Sequence, residues 1–178
     1  MTSENPQTEA EKGSLSTGMT ALAWIALMVF AGFYFDDLLD RHSNPNRAPD
    51  TEYAGDKVRT VSLQRNKYGH YVTSGKVNGQ DVVFMLDTGA TGVAIPDAVA
   101  RRLKLKRGAS FRVNTANGST ISYTAQLDTV SVGEIELTNV HGAITPAYKS
   151  DEILLGMSFL QYIEFTQRGD TLILKQYL

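Results

Sequence analysis

Val82-Val83-Phe84-Met85-Leu86-Asp87-Thr88-Gly89-Ala90 is the stretch on which the reading of this chain turns. An apolar run suited to a buried strand stops at a carboxylate, a hydroxyl and a glycine, so an ionisable group stands at the end of a rigid element. Glycine has no Cβ, admits close approach to its backbone and tolerates positive φ. The other Asp-Thr pairs, in Asp50-Thr51-Glu52, Asp128-Thr129-Val130 and Asp170-Thr171-Leu172, lack the glycine. The chain therefore carries one such loop.

Paired carboxylates explain why these residue types stand together. Two carboxyl groups about 3 Å apart cannot both ionise, so they share a proton and titrate as a unit. One takes a proton from water while the other gives one to a carbonyl. With one loop per chain, the expected partner of Asp87 is the Asp87 of a second copy related by a two-fold axis. Residues 58–178 are enough for one compact lobe and too few for two lobes with their own carboxylate pair.

Working outward, short strands follow one another. Val58-Arg59-Thr60-Val61-Ser62-Leu63 alternates apolar and polar side chains. His70 to Val77 and Gln80 to Leu86 flank Asn78-Gly79, a favourable hairpin turn. Pro96 and Asp97 open a short helix with Ala98, Val99, Ala100 and Leu103 on or near its inner side. Phe111 to Thr115 and Thr120 to Tyr123 flank Asn117-Gly118, which suits a type I′ turn. Further hairpins are expected around Gly133-Glu134 and Arg168-Gly169. Arg101, Arg102, Lys104, Lys106 and Arg107 make a basic cluster, which reads as a solvated face or as a contact for anionic lipid or substrate.

Five segments carry a resemblance to a family: Asn66-Lys67-Tyr68-Gly69-His70-Tyr71, Gly75-Lys76-Val77-Asn78-Gly79, Phe84 to Thr91, Thr115-Ala116-Asn117-Gly118, and Ile153-Leu154-Leu155-Gly156-Met157-Ser158-Phe159-Leu160. In this order the chain resembles the retropepsin-like aspartic proteases, and within them the membrane-anchored bacterial branch. An Asp-Thr-Gly tripeptide alone is weak evidence. Its place after an apolar strand and ahead of Leu154-Leu155-Gly156 gives it weight.

The resemblance implies an all-β fold, a closed β-barrel lobe with one or two short helices. It implies that Asp87, Thr88 and Gly89 form the catalytic loop of a homodimer that hydrolyses peptide bonds in polypeptides. Ala90, Thr91, Asn117 and Gly118 would meet substrate, the last two at the tip of a hairpin closing as a flap. Retroviral members usually carry an acidic residue where this chain has Thr91, so its grip on substrate differs. The apolar last strand, Thr171 to Leu178, either interleaves with the partner in a shared sheet or closes the subunit's own barrel.

Ahead of the lobe, residues 1–14 read as a short polar tail. Residues 15–35, uncharged and almost wholly apolar from Met19 to Phe35, read as a single transmembrane helix. Residues 36–57 hold Asp36, Asp37, Asp40, Pro45, Pro49, Asp50 and Gly55, the composition of a flexible linker. Flanking charges are too evenly placed to set an orientation. The resemblance implies anchorage in the inner membrane with the lobe, residues 58–178, in the periplasm.

A formal net charge of -2 points to no nucleic-acid partner. The chain has no cysteine, and His42, His70 and His141 are scattered, so no metal site is expected. No phosphate-cradling glycine loop or serine-nucleophile motif occurs, so no cofactor is expected. Two functions remain: the membrane-anchored endopeptidase, and a membrane-tethered module on the same fold that binds a peptide or partner protein without cutting it. The intact Asp-Thr-Gly favours the first, because a module freed from catalysis has no use for an ionisable group at a dimer seam.

Overall fold

Among the described residues, eleven strands lie between Thr51 and Tyr177. The computed structural model describes residues 17–178 apart from 56, 116 and 117. The polar tail expected at 1–14 lies outside the described residues. Two units are distinguished, one ending at Leu39 and the other running from Asp40 to Leu178.

The first unit is made by helix α1 (Thr17–Ser43), whose last residues belong to the second. Leu22, Trp24, Ile25, Met28, Phe30 and Phe33 all stand exposed, and Phe30 stacks on Tyr34. Among the described residues, no helix is long and apolar enough to cross a membrane, which corrects the transmembrane helix expected over 15–35. Residues 15 and 16 lie outside the described part. Within the described residues the uncharged run of α1 extends from Thr17 to Phe35. Beyond it come Asp36, Asp37, Asp40 and Arg41.

The flexible linker expected at 36–57 is also corrected. α1 continues to Ser43, and β1 (Thr51–Tyr53) pairs antiparallel with β2 (Val58–Gln64). Asn44 and Asn46 between them are buried. Asn46 acts as a substitute strand: its Nδ2 donates to the carbonyls of Gln64 (2.9 Å) and Val72 (2.7 Å), and its Oδ1 accepts from the Gln64 N–H at 2.7 Å. The Asn46 carbonyl accepts from the Ser74 N–H at 2.9 Å. One primary amide offers donors and an acceptor on a single side chain, so it can serve two neighbouring strands together. The folded unit thus begins well before residue 58.

Beyond β2 lie β3 (Tyr71–Val77), β4 (Gln80–Leu86), β5 (Val93–Pro96), α2 (Asp97–Arg102), β6 (Ser110–Thr115), β7 (Gly118–Val132), β8 (Ile135–Thr145), β9 (Glu152–Leu155), α3 (Met157–Leu160), β10 (Glu164–Arg168) and β11 (Thr171–Tyr177). A seven-stranded sheet runs β3-β4-β9-β5-β8-β7-β6, and β3 also pairs with β7, so six of its strands close on themselves and β6 hangs outside. The expected turn at Asn78-Gly79 forms, with φ of 50° and 75°. A four-stranded sheet runs β1-β2-β11-β10. Inward-facing Val61, Leu63 and Leu174 from this sheet meet Phe84, Ile95 and Leu155 from the other in one core with no solvent exposure.

β11 has β2 on one side and β10 on the other, so both of its edges are used within its own chain. Of the two possibilities for the last strand, the structure holds the one that closes within the subunit. The β6–β7 hairpin also differs from expectation. Its ladder runs as far as Thr115↔Gly118, so Gly118 is already paired in the strand, while residues 116 and 117 lie outside the described residues. The register of the flanking strands outweighs the local preference of Asn-Gly for the central turn positions.

Candidate active site

β4 delivers Asp87, and β9 fixes where β4 ends. The two pair in parallel with Leu86 opposite Leu155, and the Asp87 N–H donates to the Leu155 carbonyl at 3.2 Å. Asp87 then folds its own loop: Oδ1 accepts from the Gly89 N–H at 2.8 Å, and the Asp87 carbonyl accepts from the Ala90 N–H at 3.1 Å. An aspartate side chain that bonds the backbone two residues on holds a tight turn without outside help.

The far side of the loop is held by the start of α3. The N–H groups of Met157 and Ser158 donate to the carbonyls of Ala90 (2.9 Å) and Thr91 (3.1 Å). Gly156 makes this approach possible, since a Cβ there would lie 2.3 Å from the Gly92 oxygen and 2.6 Å from the Ala90 oxygen. Ser158 Oγ accepts from the Val93 N–H at 3.0 Å and donates to the His141 carbonyl at 2.8 Å. One hydroxyl therefore ties the exit of the loop to β8.

Asp87 and Ala90 are half-buried, whereas Thr88, Gly89 and Thr91 are exposed. Asp87, Gly89, Ala90 and Thr91 are brought together by the bonds above. Gly118 belongs to a separate element, the exposed end of the β6–β7 hairpin, and Asn117 lies outside the described residues.

Sequence reasoning missed the working parts of Ser158 and Tyr148. Ser158 was visible as part of the segment after Leu154-Leu155-Gly156, but nothing local shows that its hydroxyl reaches β8. Tyr148, in the turn between β8 and β9, carries a half-buried ring. Its hydroxyl is buried and has no hydrogen-bond partner of normal geometry among the described residues. Burial raises its pKa, the neighbouring Ser150 pulls it the other way, and the negative charges of Glu152 and Asp87 add to the rise. Tyr148 therefore feels the charge of Asp87.

The expected basic cluster is partly engaged. Asp97, at the start of α2, pairs with both Arg101 and Arg107, and Arg107 lies over the Tyr123 ring, 4.8 Å from its centroid. The Arg107 hydrogen bond is the main reason the Asp97 carboxyl is held below the usual carboxylate range. A cleft of about 300 Å³ is lined by Pro96, Asp97, Arg101 and Tyr148, among others. A second cavity, about 650 Å³, is lined by Arg47, Ser74, Lys76, Asp81 and Arg102, among others. Neither includes Asp87, Thr88 or Gly89 in its lining. Asp87 is half-buried, with Thr88 and Gly89 exposed beside it.

Comparison with known proteins agrees with this geometry. The family model described as gag-polyprotein putative aspartyl protease matches residues 73–162, a span that holds both the Asp87 loop and its α3 brace. A crystal structure of a retropepsin-like aspartic protease from Rickettsia conorii is 32% identical, with a TM-score of 0.57, over 72% of this chain and 96% of that one. An uncharacterized Sinorhizobium protein is 35% identical over 65% of this chain, and an uncharacterized Rickettsia prowazekii protein is 32% identical over 66% of it. This chain spans about half the length of these two curated relatives, 51% and 52%. A single Asp-Thr-Gly loop at a strand end, braced by a second apolar-apolar-glycine strand on a mostly β fold, together with these matches, shows that the chain belongs to the retropepsin-like aspartyl protease family.

Proposed function

We propose that the protein is an aspartic endopeptidase active as a homodimer, each chain supplying one Asp87. The observation that carries this reading is the loop itself: one carboxylate at a strand end, held rigidly from behind by Leu155, Met157 and Ser158, with Thr88 and Gly89 exposed in front. A rigid back and an open front suit a site finished by a twin loop. In the assembled pair the two carboxyl groups share a proton, one activates water, and the other protonates the scissile carbonyl oxygen. Thr88 and Gly89 hold the loops in register. Ala90, Thr91 and the β6–β7 hairpin, with Asn117 and Gly118 at or beside its tip, line the bound peptide, which pairs as an added strand.

Membrane association through α1 is part of the proposal. Its large apolar side chains stand exposed with no polar face over the uncharged run, and a lipid phase is the environment that covers such a surface. The inner-membrane, periplasm-facing location belongs to the same proposal.

The test is Asp87→Asn in the full chain, assayed on an unfolded polypeptide at mildly acidic pH with and without a statine-type inhibitor. Inhibitor-sensitive cleavage by the native chain and none by the folded variant is the expected result. Unchanged cleavage by the variant overturns the mechanism. No cleavage by either, with peptide still bound, favours the binding module.

A further inference from the structure

The cleft between the start of α2 and the turn after β8 is built from the two elements that hold the Asp87 loop. α2 continues β5, which leaves the loop at Val93, and the turn, residues 146–151, leads into β9, whose Leu155 accepts from the Asp87 N–H. Pro96 pairs with Thr145, so the entries to α2 and to the turn lie side by side. The turn is shaped by bonds of its own: the Tyr148 N–H donates to the Thr145 carbonyl at 3.0 Å, and the Glu152 N–H donates to Ser150 Oγ at 3.0 Å. Tyr148 connects the cleft with the carboxylate. It lines the cleft, its hydroxyl is turned inward away from solvent, and the charge of Asp87 reaches it. A peptide laid across Asp87 therefore has this cleft within reach of a side chain near the scissile bond.

The charges around this cleft balance. Asp97 and Asp151 line it together with Arg101 and Lys149, in a volume of about 300 Å³. Asp97 is already paired with Arg101 and Arg107. Lys149 and Asp151 are exposed and, among the described residues, neither is in an ion pair. A side chain with a full charge is attracted by one of these groups and repelled by the other. A neutral amide carries donors and an acceptor on one tip, so it uses both signs at once. The methylene groups behind such a tip are suited to the tyrosine ring.

We propose that this cleft is a specificity pocket that takes an uncharged amide side chain of the polypeptide substrate, glutamine or asparagine, with Tyr148 as its wall and Lys149 and Asp151 as donor and acceptor to the amide. The assignment rests on the reading of Asp87 as the catalytic carboxylate, and it adds the class of side chain that the site selects.

The test is a set of peptides that differ in a single residue, glutamine, methionine, glutamate or lysine, placed in turn at each position around the cut. They are given to the full chain in detergent for cleavage and to the Asp87→Asn chain for binding. Methionine matches glutamine in length and lacks its amide. The expected result is a preference for glutamine over each of the others by about fivefold in kcat/KM at one or more positions, the size of one net hydrogen bond. Lys149→Glu leaves carboxylates in excess and should move the preference to lysine, whereas Asp151→Lys leaves cations in excess and should move it to glutamate. Both positions are exposed, and opposite shifts from the two are not what a loss of folding produces. Equal cleavage of all four peptides, a native preference for one of the other three, or a glutamine preference that neither variant moves overturns the pocket and leaves the protease reading standing. A glutamine preference seen in binding and moved by the variants in the Asp87→Asn chain, with no cleavage by the native chain, upholds the pocket and counts against the protease reading. A chain that neither cleaves nor binds any of the peptides overturns both.

Discussion

The carbonyl oxygen of Gly92 stands 2.3 Å from where a Cβ on Gly156 would lie. The backbone of β9 and α3 therefore touches the backbone of the Asp87 loop with no side chain between. Gly156 itself has φ -98° and ψ -165°, an extended conformation open to any residue, so the requirement is for space rather than for an unusual dihedral.

Gly156→Ala is expected to displace the loop, because the atoms in the way are backbone oxygens that cannot rotate aside. Cleavage should fall by about a hundredfold or more, in line with the penalty for misplacing a reacting group by about 1 Å. Kinetics of the folded variant check this, and near-native activity would show that the brace does not position Asp87.

Ser158→Ala removes a hydroxyl that bonds the N–H of a fully buried residue, Val93, and the carbonyl of His141. Leaving such groups unpaired costs about 1–3 kcal/mol. A urea denaturation series should show a loss in this range with an unchanged slope.

Asn46→Ala is expected to cost roughly 2–4 kcal/mol, since several backbone groups of β2 and β3 lose their partner at once. Asn46→Asp should be worse at neutral pH despite its near-identical shape. Its carboxylate would face the Gln64 and Val72 carbonyls, which raises the folded pKa above the unfolded value, so the penalty shrinks as pH falls toward about 4. Thermal melts of both variants at pH 4 and pH 7 test the ordering, and equal melting points at pH 7 would contradict the clasp.

Asp97 has a folded pKa below its ordinary value, first through the Arg107 hydrogen bond and then through the charges of Arg101 and Arg107, against some desolvation. A depressed carboxyl contributes stability at pH values above its unfolded pKa of about 4 and loses it as pH falls through the lowered folded value. Asp97→Asn should therefore lower stability at pH 7 and flatten the acid limb of the stability profile. An acid limb of unchanged slope would show that the two arginines do not hold this group.

How much of this was legible in the sequence varies with how local the cause is. The strand ending at Asp87, the Asn78-Gly79 turn and the helix after Pro96 are written in short-range periodicity and turn chemistry, and the structure contains all three. Residues 44–57 were misread because Pro, Asp and Asn look solvated by composition, whereas Asn46 is buried by bonds to partners 18 and 26 positions away. Gly118, expected in a turn, is paired in the strand because the Asn-Gly preference yields to a six-pair ladder. Ser158 was missed for the same reason as Asn46: its partners come from distant strands, and no window of sequence contains both ends of the bond.

The bonds that shape the Asp87 loop from behind come from Leu155, Met157 and Ser158, more than sixty positions downstream. During synthesis the motif leaves the ribosome long before the residues that give it shape. A growing or prematurely ended chain can carry the tripeptide but lacks a mould for it, so any cutting power would arise only after those later residues have emerged, a delay that shields the nascent polypeptide from itself.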